Sequence, residues 1–322
     1  MPPASTRFQR LERNGHGFTL EIWPRAGAGT MLFYPGSMLS PRQYRTLMGA
    51  LRDAGLAVAG LHLEGHGVNP HRSGFTFASL LADGLFAERW LNDAGLGPVA
   101  VCGHSQGGIL AVAHAAASGT LTAAFALCAI LPQMPRAIEL TRFARLAAQR
   151  ARLERAIRCL GNALPWLPVP LSGYLSLRRV LAGHRELRMD RRGCRRTYPL
   201  GFLASLFTAA IRPELKCPFT LYNARDDALF TPSLAQNFFA KIHAPEKTLV
   251  WLPAGGHLAP MSPWLAAFVA RDAAAACAGL GMDVRLETGP RTEPEHGGTF
   301  HGLCRRSGRP GKSGQQVCRH TS

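Results

Sequence analysis

A serine flanked by glycines is the strongest chemical signal in this chain. Positions 103–107 read Gly-His-Ser-Gln-Gly, after an apolar run at 98–102 that is typical of a buried strand and before a small-residue helical segment at 108–117. A serine on a sharp turn between a strand and a helix has a strained backbone, and its hydroxyl stands at the helix N-terminus. Ser105 is therefore a candidate nucleophile for acyl transfer, and a plain helix N-cap is the alternative.

Two downstream segments carry the groups that such a serine needs. A strand pattern at 215–222 runs into a turn that contains Asp226 and Asp227, and a strand pattern at 247–252 precedes a glycine-rich loop that ends at His257. Histidine titrates near neutral pH, so His257 could take the serine proton while a carboxylate orients its ring. Both aspartates lie in the same turn and compete for that role, and a loop histidine without function is the alternative for His257.

The order serine, aspartate, histidine is that of the α/β-hydrolases. Residues 7–277 resemble this superfamily, and within it the esterase, monoacylglycerol-lipase-like and S33 serine-aminopeptidase-like branch. The resemblance extends to Phe-Tyr-Pro-Gly-Ser at 33–37 and Leu-His-Leu-Glu-Gly-His-Gly at 61–67. It implies an α/β-hydrolase fold, with a mostly parallel central sheet flanked by helices and a helical cap insertion. It also favours Asp227 over Asp226 as the acid.

The resemblance further implies two backbone amides that bind the oxyanion formed during acyl transfer. One is the amide of Gln106, directly after the candidate nucleophile, and the other is that of Ser37 or Met38 in the early loop. The family usually has His-Gly in this loop, whereas here Pro35 occupies the position of the histidine. The expected contribution of the loop is therefore confined to its backbone.

Strand and helix patterns alternate along most of the chain, which predicts a mostly parallel sheet covered on both faces. A hairpin at 7–13 and 18–23 turns at Asn14-Gly15. Further strands are predicted at 30–34, 56–62 and 121–129, and helices at 41–54 and 77–93. We assign residues 1–132 and 213–278 to a catalytic domain, 133–212 to an arginine-rich helical cap or lid, and 279–322 to a disordered tail.

Charge is concentrated in the predicted cap. Residues 133–200 contain fifteen arginines, no lysine and four acidic residues, which is +11 of the formal net charge of +17. The excess charge could attract anionic substrates or an anionic membrane surface, and a solvated helix face is the alternative. These arginines fit no nucleic-acid-binding module with aromatic stacking residues, so no nucleic-acid partner is expected.

Histidine and cysteine spacing excludes further classes. His62, His66 and His71 match no compact zinc pattern, so no metal is expected. The eight cysteines are scattered without close pairs, and neither a signal peptide nor a membrane-spanning run is recognisable. A reducing cytoplasm fits this pattern best.

Together these features predict a serine hydrolase without metal or organic cofactor that cleaves carboxylic esters through an acyl-enzyme on Ser105. Short-to-medium acyl esters or monoacylglycerol-like lipids are the expected small-molecule substrates. The same Ser105, Asp227 and His257 could serve thioesters, amides or acyl transfer to another acceptor. The alternative from another class is an inactive hydrolase scaffold that binds anionic lipid or a protein partner through the basic cap.

Overall fold

One large sheet forms the centre of the protein. The structure is a computed structural model that describes residues 2–70, 74–182, 190–286 and 305–308. The sheet order is β1-β2-β4-β3-β5-β6-β9-β10-β11. Its strands are β1 (Arg7–Arg13), β2 (His16–Trp23), β3 (Thr30–Tyr34), β4 (Ala57–His62), β5 (Val99–His104), β6 (Ala124–Leu127), β9 (Phe219–Ala224), β10 (Lys247–Leu252) and β11 (Arg305–Gly308).

Strand directions divide this sheet into a parallel centre and antiparallel edges. Strands β4, β3, β5, β6, β9 and β10 pair in parallel. The hairpin of β1 and β2 adds to β4 in the antiparallel sense, and β11 adds to β10 in the same way. The predicted α/β-hydrolase fold with a mostly parallel sheet is confirmed. Because the parallel strands end at the same edge, the loops that follow them converge there.

Helices cover both faces of the sheet. One apolar core lies between the sheet and α2, α3 and α8, and a second lies between the sheet and α1 and α9. The helices are α1 (Arg45–Asp53), α2 (Phe77–Asp93), α3 (Gln106–Ala117), α4 (Arg150–Ala163), α5 (Leu171–Tyr174), α6 (Leu177–Val180), α7 (Leu200–Phe207), α8 (Pro232–Lys241) and α9 (Pro263–Gly279). In the described residues no helix has both the length and the apolar character needed to cross a membrane.

Several element boundaries differ from those predicted. The helix expected at 41–54 begins with a 3-10 turn, Pro41–Tyr44, before α1. The strand expected at 121–129 is only Ala124–Leu127, because Cys128 adopts a φ of 59° and leaves the extended conformation. The strand expected at 215–222 is displaced to Phe219–Ala224, since Pro218 has no N–H to donate to a sheet ladder.

Between β6 and β9 the chain forms the region predicted to be a cap. It contains two 3-10 segments, Pro135–Leu140 and Ala144–Gln149, and helices α4 to α7. A small antiparallel pair, β7 (Pro168–Pro170) and β8 (Thr197–Pro199), lies apart from the main sheet. Gly161 of α4 packs so closely on α7 that an added Cβ would lie 2.5 Å from that of Ala204. Of the predicted disordered tail, 279–286 and 305–308 are described, and the second of these segments forms β11. The rest lies outside the described residues.

Candidate active site

Ser105 sits on a turn between β5 and α3. Its φ is 58° and its ψ is −117°, which is a strained conformation for a residue with a side chain. The flanking glycines leave space for this turn. A Cβ on Gly103 would lie 2.0 Å from the carbonyl oxygen of Gly107, and one on Gly107 would lie 2.1 Å from that of Tyr34. Larger residues at these two positions would therefore force the backbone apart.

Three side chains predicted to act together form one hydrogen-bonded chain. His257 Nε2 lies 3.1 Å from Ser105 Oγ, and His257 Nδ1 lies 3.1 Å from Asp227 Oδ2. Ser105, Asp227 and His257 are 8%, 2% and 4% exposed, respectively. The His257 ring also stacks on Phe230, with centroids 5.3 Å apart and an interplanar angle of 3°. This packing restricts the ring to the orientation that joins the hydroxyl to the carboxylate.

Asp227 is held in place by the backbone of its own turn. Its Oδ1 accepts hydrogen bonds from the amides of Leu229 at 2.7 Å and Phe230 at 2.8 Å. Burial raises the pKa of Asp227, but the hydrogen bond and charge of His257, with the Phe230 amide, outweigh burial and lower it overall. The carboxylate form is thus favoured beside the imidazole.

Asp226 has a different position in the same turn. Its two oxygens accept hydrogen bonds from the amides of Gly255 at 3.2 Å and Gly256 at 2.8 Å. This exposed aspartate therefore joins the acid-bearing turn to the loop that precedes His257. Of the two competing aspartates, only Asp227 contacts the imidazole.

Two residues next to these groups were expected from the sequence only to pack in the interior. Cys128 Sγ lies 3.2 Å from Asp227 Oδ2, to which it donates. His104 Nε2 donates to the carbonyl oxygen of His257 at 2.8 Å, and its Nδ1 accepts from Tyr44 Oη at 2.6 Å. Burial lowers the pKa of His104 to about 3, so the ring stays neutral. Because these three contacts join segments distant in sequence, no local pattern could have indicated them.

The loop expected to supply an oxyanion donor lies directly against the serine turn. A Cβ on Gly107 would lie 2.6 Å from the carbonyl oxygen of Pro35, in addition to its close contact with the carbonyl oxygen of Tyr34. Met38 has a φ of 62°, and its amide donates to the hydroxyl of Tyr198 at 2.6 Å. Gln106 begins α3, where its amide belongs to the first turn and has no partner within the helix.

The histidines considered for a metal do not converge. His62 lies 3.2 Å from Glu21, His66 contacts Tyr198, and His71 lies outside the described residues. Potential ligand atoms do gather in two other groups: His104, Cys128 and His257, and His16, Glu64 and Asp83. The first group takes part in the hydrogen bonds described above. In the second, Arg13 donates to Asp83 at 2.8 Å, so an arginine already supplies a positive charge.

The sheet order, the strained serine at the end of β5 and the chain order of the three side chains define an α/β-hydrolase. More particularly, residues 26–261 match the model of the family described as serine aminopeptidase, S33, and the chain belongs to this family. A comparison with curated protein sequences found no match.

Similar solved structures include lipases and an esterase. A soluble variant of the monoglyceride lipase from Saccharomyces cerevisiae, solved with a substrate analog, is 14% identical with a TM-score of 0.67, covering 86% of this chain and 96% of that one. The monoacylglycerol lipase of Paleococcus ferrophilus is 15% identical with a TM-score of 0.62, covering 82% and 99%. A thermophilic esterase from Thermogutta terrifontis is 18% identical with a TM-score of 0.57, covering 86% and 99%. At these identities the likeness shows the fold.

Proposed function

We propose that the protein is a serine hydrolase that cleaves carboxylic esters through an acyl-enzyme on Ser105. The observation that carries this proposal is the continuous chain from Ser105 Oγ through His257 to Asp227, with 3.1 Å at both steps. The strained turn places the serine at the N-terminus of α3, where free amides favour negative charge. This geometry supports an enzyme over an inactive scaffold, which would not need the three groups within reach.

In the proposed mechanism, His257 takes the Ser105 proton as Oγ attacks the ester carbonyl carbon. Asp227 keeps the proton on His257 Nδ1 in the resting state and stabilises the imidazolium that forms. His257 then protonates the leaving alcohol, and a water molecule that it deprotonates hydrolyses the acyl-enzyme. The Gln106 amide and an amide of Ser37 or Met38 bind the oxyanion in both steps.

The substrates that we propose are short-to-medium acyl esters or monoacylglycerol-like lipids. The likeness to two monoglyceride lipases and an esterase supports this class. The same groups could act on thioesters or amides, or transfer the acyl group to an acceptor other than water, because all these reactions share the acyl-enzyme. We also propose the division into a catalytic domain, 1–132 and 213–278, and a cap, 133–212.

The cap surface supports a further proposal, peripheral contact with anionic membranes. Arg152, Arg155 and Arg158 are exposed on α4, and exposed apolar side chains follow them, with Trp166 62% exposed and Leu160 52% exposed. Basic and apolar side chains together favour an anionic lipid surface. Raising the salt concentration should then weaken activity on anionic vesicles but not on a soluble neutral ester. Equal salt effects on both substrates would contradict this.

The cellular location that we propose is the cytoplasm. The described cysteines, Cys102, Cys128, Cys159, Cys194, Cys217 and Cys277, are all free thiols. Free thiols are typical of a reducing compartment.

The test of the main proposal is hydrolysis of a chromogenic ester series of increasing acyl length by the protein and by its Ser105→Ala variant. Loss of the nucleophile in such a catalytic unit costs about 10⁶-fold in turnover. The acyl length that gives the highest rate would measure the pocket. A folded protein that hydrolyses none of these esters, or an alanine variant that keeps the activity, would contradict the proposal.

A further inference from the structure

The loop that carries Met38 is hydrogen-bonded to the C-terminal part of the proposed cap. The Arg195 amide donates to the carbonyl oxygen of Met38 at 2.8 Å. The Gln43 side-chain amide donates to the carbonyl oxygens of Asp190 at 2.7 Å and Arg192 at 2.9 Å. Residues 190–198, which we call the strap, therefore lie along the proposed oxyanion loop and bring β8 to it.

Tyr198 is the residue of the strap that reaches the Met38 amide. Its hydroxyl oxygen lies 2.6 Å from Met38 N and 2.9 Å from His66 Nε2. His66 Nδ1 lies 2.8 Å from the carbonyl oxygen of Glu64, which can only accept, so Nδ1 carries the proton. In the neutral imidazole Nε2 is then an acceptor, and Tyr198 donates its proton there. The phenolic oxygen is thus an acceptor toward Met38.

An acceptor oxygen at this amide occupies the place that the proposed mechanism gives to the carbonyl oxygen of an ester. Tyr198 is fully buried, and its ring packs on Phe75 and Phe202 at centroid distances of 6.1 and 4.6 Å. Burial raises the pKa of the phenol, so its oxygen remains neutral. A charged oxyanion forms the stronger hydrogen bond and can displace a neutral oxygen.

The groups next to Tyr198 are also shielded from solvent. Ser105 is only 8% exposed. Gln106 is 2% exposed, and its side chain lies close enough to Tyr198 to lower the pKa of the phenol.

We propose that Tyr198 is a gating residue of the oxyanion site: its hydroxyl occupies the Met38 amide in the closed enzyme and must leave when an ester binds. The proposal rests on the proposed function, because it assumes that Met38 serves the oxyanion. Tyr198 thereby acts through Met38 and takes no proton or electron pair from the substrate.

The test is Tyr198→Phe, which removes the competing oxygen and keeps the ring. We would measure kcat/KM on a short neutral ester and the rate at which a fluorophosphonate labels Ser105. Because a neutral hydrogen bond contributes about 1 kcal/mol, both rates should rise about fivefold. Tyr222→Phe is the matched control, since its hydroxyl donates to Asp272 of α9 in the core on the opposite face of the sheet, and its rates should stay at the wild-type level.

Two results of this test would overturn the gate. A tenfold fall in kcat in Tyr198→Phe would show that the hydroxyl donates to the oxyanion instead, and unchanged rates would show that it does not compete. If Tyr198→Phe does not fold, as judged by its thermal melting, Arg42→Ala loosens the strap instead, because Arg42 donates to the Asp190 carboxylate. Rates at or below wild type would then overturn the gate. A wild-type protein that neither hydrolyses esters nor reacts with the fluorophosphonate would contradict the proposed function itself.

Discussion

Two hydrogen-bonded chains of hydroxyl, imidazole and carboxylate occur in the described residues. One is the candidate catalytic chain, in which both steps measure 3.1 Å. The other lies in the core between the sheet and helices α2 and α3. Its distances from hydroxyl to ring and from ring to carboxylate are 2.6 and 2.7 Å. In the first the members are Ser105, His257 and Asp227, and in the second they are Tyr34, His114 and Glu88.

The two chains differ in what surrounds the hydroxyl. Burial raises the pKa of Tyr34 well above its usual value, and the negative charges of Glu88 and Asp83 add to that shift. An added Cβ on Gly84 of α2 would lie 2.0 Å from the Tyr34 hydroxyl, so no substrate could reach this oxygen. Ser105 instead stands on a strained turn beside free amides of α3. Connectivity alone therefore does not define a catalytic chain, since access and an oxyanion site are also needed.

The largest effect that separates the two chains is expected for Asp227→Asn. An amide favours the wrong imidazole tautomer, so kcat on esters should fall by about 10⁴-fold. Asp226→Asn is the matched control, because Asp226 contacts the amides of Gly255 and Gly256 instead of the imidazole. It should keep most of the activity, and the opposite result would assign the acid role to Asp226.

Glu88→Gln should lower stability and leave ester hydrolysis nearly unchanged. Glu88 accepts hydrogen bonds from Ser118 at 2.7 Å and Thr120 at 2.6 Å in addition to its contact with His114. Glutamine is uncharged, so the variant should lower the free energy of unfolding by about 2 kcal/mol. Ester hydrolysis per folded molecule should stay within a few-fold of wild type. A loss of activity comparable to that of Asp227→Asn would mean that the core chain takes part in catalysis.

The pH dependence of unfolding provides a second measurement on the same variant. Burial raises the pKa of Glu88, but His114, Thr120 and Ser118 outweigh burial and lower it overall. A carboxyl group whose pKa is lower in the folded state stabilises the protein above its unfolded pKa, and that contribution is lost as the pH falls through the folded pKa. The wild type should therefore lose more stability than Glu88→Gln between about pH 5 and 3. Parallel curves would contradict this assignment.

Local sequence patterns were enough to indicate the serine and the histidine of the candidate site. The strand-turn-helix context located Ser105, and the glycine-rich loop after β10 located His257. The alternation of strands and helices predicted the mostly parallel sheet, and the extents of α2 and β10 matched in full. These features follow from backbone conformation and burial, which act over a few neighbouring residues.

Contacts between distant segments could not be predicted from the sequence. Tyr198 is 160 positions from the Met38 amide that it contacts, and Cys128 is 99 positions from Asp227. The second hydrogen-bonded chain was not predicted for the same reason. Tyr34 and His114 have the sequence context of ordinary strand and helix residues, and only the fold brings them together. Such pairings depend on the three-dimensional arrangement, for which no local pattern exists.

The smallest effects concern the additional donor on each carboxylate. Cys128 donates to Asp227 through a thiol, and Ser118 donates to Glu88 through a hydroxyl. A thiol is a weak donor and Asp227 keeps two backbone amides, so Cys128→Ala should lower kcat by only about two- to fivefold. Alanine keeps the Cβ and meets the same positive φ as the cysteine, so backbone strain should not change.

Ser118→Ala completes this comparison. Losing a hydrogen bond to a buried carboxylate should lower the free energy of unfolding by about 1.5 kcal/mol, with kcat unchanged. We therefore expect the Cys128 donor to affect catalysis and the Ser118 donor to affect stability. Thermal unfolding and ester kinetics of both variants would test this. If Cys128→Ala lowered stability more than Ser118→Ala and left kcat intact, Cys128 would be a packing residue. Asp227 would then be oriented by its turn alone.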